Sequence, residues 1–350
     1  MYSLQSLGWS DFFASQWNET HHPGFFPARV AEENRGLYFL YSENGESWAS
    51  LRGKFHHKAA SVAAFPAVGD WVLAEQHGSR ATIHHLFVRR TKFSRKSAGR
   101  RTEEQILAAN VDTVLLVSSL NREFNLRRIE RYLTLAWESG AHPILVLNKS
   151  DLCEPARAVA AAAESAAMGV HVLVASALRG DGLAELRDIV RAGGTSALLG
   201  SSGVGKSSLI NTLLGHKLQP TSEVRESDDR GRHTTTSRQL ILLPEGGLLI
   251  DTPGMRELQL WDSNEGLEHT FADIQELSAQ CKFRDCSHSG EPSCAVSSAI
   301  DPARLASYHK LAREQRFIAS KQDAALRSEQ TKAIKRIMKA HRRLSRDGAQ

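Results

Sequence analysis

Residues 197–208 read Ala197-Leu198-Leu199-Gly200-Ser201-Ser202-Gly203-Val204-Gly205-Lys206-Ser207-Ser208. From Gly200 onward the run fits Gly-x-x-x-x-Gly-Lys-Ser, with an apolar strand before it and a helical stretch, Ser208 to Leu214, after it. Strand, glycine-rich turn and helix in that order make a phosphate cradle. The glycines let backbone N–H groups turn inward, and the helix N-terminus adds the positive end of its dipole. Lys206 is expected to neutralise β- and γ-phosphate charge, and Ser207 to ligate Mg²⁺. The motif suits nucleotide hydrolases and kinases alike, and it does not choose a base.

Working outward, apolar strand-sized runs alternate with helical ones: Thr113 to Val117, Arg127 to Glu138, Pro143 to Leu147, 156–167, His171 to Ala175 and Gly182 to Val190. The pattern resumes at Gln239 to Leu243 and Gly247 to Ile250. Such alternation predicts a parallel, doubly wound α/β sheet. The base is chosen at Asn148-Lys149-Ser150-Asp151, at a strand end. A carboxylate at the fourth position accepts from N1–H and N2–H₂ of guanine, and adenine offers no matching donor pair. The Lys149 stem can lie along the purine, and Ser176-Ala177 at the next strand end is the expected partner loop. Asp251-Thr252-Pro253-Gly254 follows another strand and fits the element that holds Mg²⁺ through water and senses the γ-phosphate. Between lies Gly231-Arg232-His233-Thr234-Thr235-Thr236. One of these threonines is expected to cap Mg²⁺, Thr235 being favoured. Met255 stands where a glutamine orients the attacking water in Ras-like enzymes, so His233 is the candidate for that role. The GTP-binding set is expected to comprise 148–151, Ser176, Ala177, 200–208 (Gly200, Ser201, Ser202, Gly203, Val204, Gly205, Lys206, Ser207 and Ser208), Thr235, Asp251 and Gly254. The base-reading loops precede the phosphate loop here, the reverse of a Ras-like chain, so the domain reads as circularly permuted.

The flanks have different textures. Residues 1–34 are aromatic and polar without clear period and read as a leader. From Gly36 to Val88 several short strands with turns suggest a small barrel of the OB type. The expected divisions are 1–34 leader, 35–95 OB-fold, 105–262 GTPase domain and 265–345 helical metal-binding domain with a basic tail. Three cysteines and a histidine, Cys281-x₄-Cys286-x-His288-x₅-Cys294, supply three sulfurs and one imidazole, a closed structural zinc set. Asp285 and His309 are lesser alternatives. Over 350 residues the apolar fraction is 41% and the charged fraction 24%, which excludes collagen-like and wholly disordered classes. No apolar run approaches bilayer length. No signal peptide is read, and a cytoplasmic chain is expected. The net charge of +5 hides local excess: from Arg304 onward stand 13 Lys/Arg against 4 Asp/Glu. A second basic run, Arg89, Arg90, Lys92, Arg95, Lys96, Arg100 and Arg101, contains no acid. Both runs point to a polyanion, nucleic acid first.

Taken together these residues resemble the ribosome small-subunit-dependent GTPases (RsgA, also called YjeQ). The permuted order carries the likeness, with Gly-Arg-His-Thr-Thr-Thr at 231–236, Asp-Thr-Pro-Gly at 251–254, the Cys₃His set and Val68-Gly69-Asp70-Trp71 in the β region. The resemblance covers roughly residues 35 to 320. It implies an N-terminal OB-fold, a central circularly permuted GTPase domain and a C-terminal helical zinc domain. It further implies GTP/GDP, Mg²⁺ and one structural Zn²⁺ as ligands, and late maturation of the small (30S) ribosomal subunit with 16S rRNA as partner. A monomer without membrane attachment is expected. The rivals are an RNA-binding scaffold stabilised by nucleotide, a permuted GTPase of the large subunit, and a phosphate-loop kinase. The last would leave Asn148 to Asp151 without purpose.

Overall fold

The computed structural model describes residues 2–20, 23–53, 55, 61–96, 104–122, 124–192, 194–215, 238–251 and 265–322. The chain divides into two compact units, Met1–Ser97 with Glu103–Gln259, and Ala98–Thr102 with Leu260–Gln350.

The first unit begins with a 3₁₀ turn at Gln5–Leu7 and helix α1 (Asp11–Thr20). Five strands follow: β1 (Phe25–Asn34), β2 (Leu37–Ser42), β3 (Gly45–Leu51), β4 (Trp71–His77) and β5 (Arg80–Leu86). β1 pairs with both β2 and β4, β2 with β3, β4 with β5, and β3 with β5 in parallel, so the sheet closes on itself. This is an OB-like barrel. Alternation fills it: Tyr38 and Leu40 of β2 point inward with Val30, Val72 and Ile83, while Leu37, Phe39 and Tyr41 point out.

One expectation is corrected here. Residues 1–34 are not a leader ahead of the barrel, because β1 is one of its staves. The barrel therefore begins at Phe25 and not at residue 35. The preceding turn and α1 pack Leu7, Phe13 and Trp9 onto Trp71 and Phe87, with Trp9 meeting Trp71 edge-on at 4.6 Å. β1 escapes a pattern reading for a physical reason. Residues 27–31 are buried on both faces, so there is no alternation, and Pro27 and Arg29 interrupt the run.

A two-stranded ribbon, β6 (Lys92–Lys96) with β7 (Glu104–Ala109), leads into the α/β layer. There follow β8 (Thr113–Ser119), α2 (Leu126–Ser139), β9 (His142–Asn148), α3 (Ala156–Ala166), β10 (His171–Val174), α4 (Leu183–Ala192), β11 (Thr195–Leu199), α5 (Lys206–Leu214), β12 (Gln239–Leu242) and β13 (Leu248–Asp251). The sheet order is β10-β9-β8-β11-β13-β12, parallel except for β12. Asn125 caps α2 by accepting from Arg127 N and Arg128 N, and Gly140 ends that helix in the left-handed region. β12 also meets β1 at Glu32 and Gln239, where Gln239 Nε2 donates to Glu32 Oε2 at 3.1 Å. Barrel and α/β layer thus share one continuous sheet.

The second unit contains α6 (Glu265–Thr270), α7 (Ala272–Ser278), α8 (Ala295–Ala299) and α9 (Pro302–Gln322). Arg304 of α9 grips Asp273 at 2.7 Å, donates to the Thr270 carbonyl at 3.0 Å and lies over the Phe271 ring. No helix among the described residues is long and apolar enough to cross a membrane.

Candidate nucleotide site and metal centre

The parallel strands β8, β9, β10, β11 and β13 bring their carboxyl ends to one edge, and chain order reverses between β8 and β11. A crevice at such a switch point is where open α/β sheets take ligands. Four segments meet at that edge: 148–151 after β9, Ser176 and Ala177 after β10, the loop from Gly200 after β11, and Asp251 closing β13.

Asn148 joins three of them. It is 1% exposed. Its Nδ2 donates to the Val204 carbonyl at 2.9 Å, and its Oδ1 accepts from Ala177 N at 3.1 Å. One buried amide therefore ties the base-reading loops to the phosphate loop. Lys149 takes φ +61°, an uncommon conformation for a side-chain-bearing residue, and a 3₁₀ turn over Ser150–Leu152 follows. Ser150 N reaches the Ala175 carbonyl at 3.1 Å. The turn sets Asp151 against Ser176, whose hydroxyl donates to Asp151 Oδ1 at 2.5 Å and accepts from Arg179 N at 3.0 Å. The carboxylate is thus aimed by a hydroxyl that is itself held.

The phosphate loop is built on close approach. A Cβ at Gly200 would lie 2.3 Å from the Val117 carbonyl oxygen, and one at Gly205, where φ is +96°, would lie 2.2 Å from Asn148 Nδ2. Neighbours exclude a side chain at both positions, and at Gly205 the left-handed backbone conformation does so as well. Val204 is buried in the core, Ser202 and Gly203 are exposed, and Ser207 and Ser208 sit half-buried on the first turn of α5. Lys206 Nζ donates to the Gly200 and Ser201 carbonyls at 2.8 and 2.7 Å, arching over its own loop. Ser201 Oγ accepts from Arg128 Nη1 at 3.0 Å and lies 3.3 Å from the Tyr132 hydroxyl.

In the second unit Cys281, Cys286, His288 and Cys294 bring one ligand atom each within 4.8 Å of one another. Cys281 Sγ is 3.9 Å from Cys294 Sγ, and His288 Nδ1 is 3.7 and 3.4 Å from those sulfurs. A tetrahedral ion with metal–sulfur bonds of about 2.3 Å sets sulfurs roughly 3.8 Å apart, so the donors fit such an ion. His288 Nε2 lies 2.9 Å from Ser278 Oγ, which spends its proton on the Ile274 carbonyl at 2.7 Å. The hydroxyl therefore accepts from Nε2–H and leaves the Nδ1 lone pair facing the thiols. Ser297, by its hydroxyl and its N–H, holds the Cys294 thiol down to about 6, while burial and the neighbouring thiols push Cys286 up to about 11. A cation among them favours all three thiolates at once. Asp285 is not in the set. His309 Nε2 sits 3.4 Å from the His288 carbonyl, beside the ligand loop's backbone.

The sequence model of the RsgA GTPase family matches residues 86–261. A relative from Opitutus terrae, named small ribosomal subunit biogenesis GTPase RsgA, is 47% identical and covers 97% of each chain. The chain belongs to the RsgA GTPase family. A second RsgA, from Syntrophotalea carbinolica, is 43% identical over 99% of this chain and 98% of its own. The crystal structure of YjeQ from Thermotoga maritima matches with TM-score 0.62 at 28% identity, covering 82% of this chain and 97% of that one. A structure described as YloQ, a circularly permuted GTPase, matches with TM-score 0.60 at 24% identity, covering 87% of this chain and 98% of that one, a likeness of fold. This RsgA-family chain is accordingly a GTPase.

Residues 231–236, with His233 and Thr235, lie outside the described residues, as do Thr252, Pro253, Gly254, Met255, Arg100, Arg101 and the tail from 323. Two others were missed. Arg128 and Tyr132, one helical turn apart on α2, brace Ser201, yet in sequence they stand out only as members of the helical run Arg127 to Glu138. The basic run also changes meaning. Arg89 binds Asp70 at 2.7 Å and the carbonyls of Ala63 and Phe65, Arg90 pairs with Asp112, Lys92 with Glu104, and Arg95 with Gln105. These four cations are engaged within the fold, whereas Arg100 and Arg101 of the same run lie outside the described residues.

Proposed function

We propose that this RsgA-family GTPase acts in late maturation of the small ribosomal subunit, in the cytoplasm, binding its RNA in the GTP form and leaving on hydrolysis. The observation that carries the reading is likeness along the whole chain, barrel and metal unit included, to relatives named for small-subunit biogenesis. In this reading Asp151 reads guanine N1–H and N2–H₂, aimed by Ser176, with the Lys149 stem along the purine. The amides of 200–205 and Lys206 hold the phosphates, and Ser207, Thr235 and Asp251 manage Mg²⁺, which neutralises phosphate charge when bound. Lys206 must leave the Gly200 and Ser201 carbonyls to reach phosphate, exchanging two neutral acceptors for an anion. His233 is the residue for orienting water, since Met255 has no group to do so. Three sulfurs and one imidazole favour Zn²⁺ over harder ions in the second unit. The division into barrel, permuted GTPase domain (105–262) and metal unit (265–345) belongs to the same proposal, as does a monomeric state.

The test is steady-state GTP hydrolysis with small subunits, large subunits or neither, with Asp151→Asn as control. Stimulation by small subunits alone, with guanine preference lost in the control, is the expected outcome. A flat rate despite tight GTP binding would overturn the stimulated switch and favour a scaffold whose fold nucleotide merely stabilises.

A further inference from the structure

Away from the nucleotide site, the β4–β5 hairpin gathers donors on the outer face of the barrel. Glu75 and His77 stand two apart on β4 and so share a face, opposite to that of Ala74, which packs in the barrel core. Pairing runs His77 with Arg80, Glu75 with Thr82 and Ala74 with Ile83, then jumps to Leu73 with His85. His84 is the extra residue of this bulge, and bulges re-aim side chains. Here the imidazole leans over Glu75. His84 Nε2 is 2.9 Å and His77 Nε2 3.2 Å from the same carboxylate oxygen, Oε2. The Phe25 ring meets the His84 ring edge-on at 4.7 Å and backs it. The His84 side chain is 14% exposed, against 57% for that of His77. His84 Nε2 is buried, and despite its short distance from Oε2 it is not aligned to make a hydrogen bond.

We propose that Glu75, His77 and His84 form a second metal site, for a divalent transition ion with water on its open positions. Bonds of about 2.1 Å place donor atoms roughly 2.9 Å apart at right angles and roughly 3.4 Å apart in a tetrahedron. The two separations from Oε2 fall in that span, and all three donor atoms lie within 4.8 Å of one another. Plain pairing of histidine with glutamate accounts for less, because it leaves the buried His84 nitrogen beside a carboxylate without a hydrogen bond. An ion between them takes the nitrogen lone pair and the oxygen together. Two imidazoles and one carboxylate suit Zn²⁺, Ni²⁺ or Cu²⁺ and are too rich in nitrogen for Mg²⁺. Three protein donors leave coordination positions for water on the side of the exposed His77, unlike the closed Cys₃His set. One contact changes on loading. Arg52 Nη1 lies 3.4 Å from His84 Nδ1 and donates to its lone pair, which leaves the ring proton on Nε2. A metal on Nε2 releases that proton, Nδ1 takes one up, and the exposed Arg52 side chain swings away. The site is independent of the small-subunit reading.

The experiment titrates Zn²⁺ calorimetrically into the full chain already carrying one equivalent, so that the Cys₃His centre is filled first. One further, weaker equivalent should bind, and excess Mg²⁺ should not compete for it. His77→Ala and Glu75→Gln should each abolish the second event and keep the first. GTP hydrolysis without ribosomes, which these residues do not touch, confirms that the variants fold. Arg52→Gln, which gives Nδ1–H an acceptor, should tighten the second event by roughly 10-fold. Absence of a second equivalent in the wild type overturns the site. So does a second equivalent that survives His77→Ala and Glu75→Gln, because the ion then sits elsewhere. An Arg52→Gln affinity no better than wild type also overturns it, because His84 Nε2 is then not the donor.

Discussion

At the scale of single residues, Asn148 shows why a motif needs its less celebrated member. Asp151 reads the base, but Asn148 holds two loops at a fixed separation before any ligand arrives. Its two hydrogen bonds are buried, so replacing it strands the Val204 carbonyl and the Ala177 N–H without partners. Each such loss costs about 1–3 kcal/mol. Asn148→Ala is therefore expected to raise the GTP dissociation constant roughly 10- to 100-fold, read by calorimetric titration. Asn148 is not itself assigned to the base edge, so the ratio of GTP to ATP affinity should move far less than in Asp151→Asn. A dissociation constant within twofold of wild type would mean that the loops hold each other without this amide.

Secondary elements carry a second kind of support. Ser278, the last residue of α7, lies ten positions before His288 and is invisible to a search for ligand spacing, yet it fixes which imidazole nitrogen faces the thiols. Ser278→Ala should weaken metal binding about 10- to 100-fold, measured by competition with a chromophoric chelator, while the ligand count stays at four. Unchanged affinity would show that His288 is oriented by its loop alone, where it takes φ +58°. The four ligands themselves were legible from sequence, because three cysteines and one histidine within 14 residues have few other uses. So were the α/β strands, whose apolar runs are bounded by glycine, proline and polar turns. β1 was not, because it is buried on both faces. Nor were Arg128 and Tyr132, whose role exists only once α2 is laid beside the phosphate loop.

Across the first unit, a buried arginine joins parts that lie far apart in sequence. Arg29 is 1% exposed and rests against the Trp71 ring. It donates to the Leu7 carbonyl, to the Gly69 carbonyl at 3.2 Å and to the Asn110 carbonyl at 3.0 Å. Those carbonyls belong to the N-terminal turn, to the lead-in of β4 and to the segment entering β8. Burial pushes the Arg29 pKa down to about 9, with Asp70 pulling it back up, so the guanidinium keeps its charge at neutral pH. The joint around it is tight. A Cβ at Gly69, where φ is +90°, would lie 2.1 Å from the Ala109 carbonyl oxygen. Asn110 Nδ2 meets the Gly69 carbonyl at 3.2 Å, and Asp112 two residues on accepts from Thr195 N at 2.8 Å, at the foot of the strand that leads to the phosphate loop. No apolar residue of similar volume can satisfy three carbonyls. Arg29→Met should therefore cost about 2–4 kcal/mol and lower the melting temperature by roughly 5–15 °C for a unit of this size. Because the lost bonds span turn, barrel and α/β layer, the melting transition should shift as one, by circular dichroism and by tryptophan fluorescence alike. If fluorescence, to which Trp9, Trp17, Trp48 and Trp71 of the barrel and its N-terminal helix bring four of the chain's six tryptophans, fell well before the helical signal, the barrel would unfold by itself and Arg29 would be a local brace and not the tie between layers.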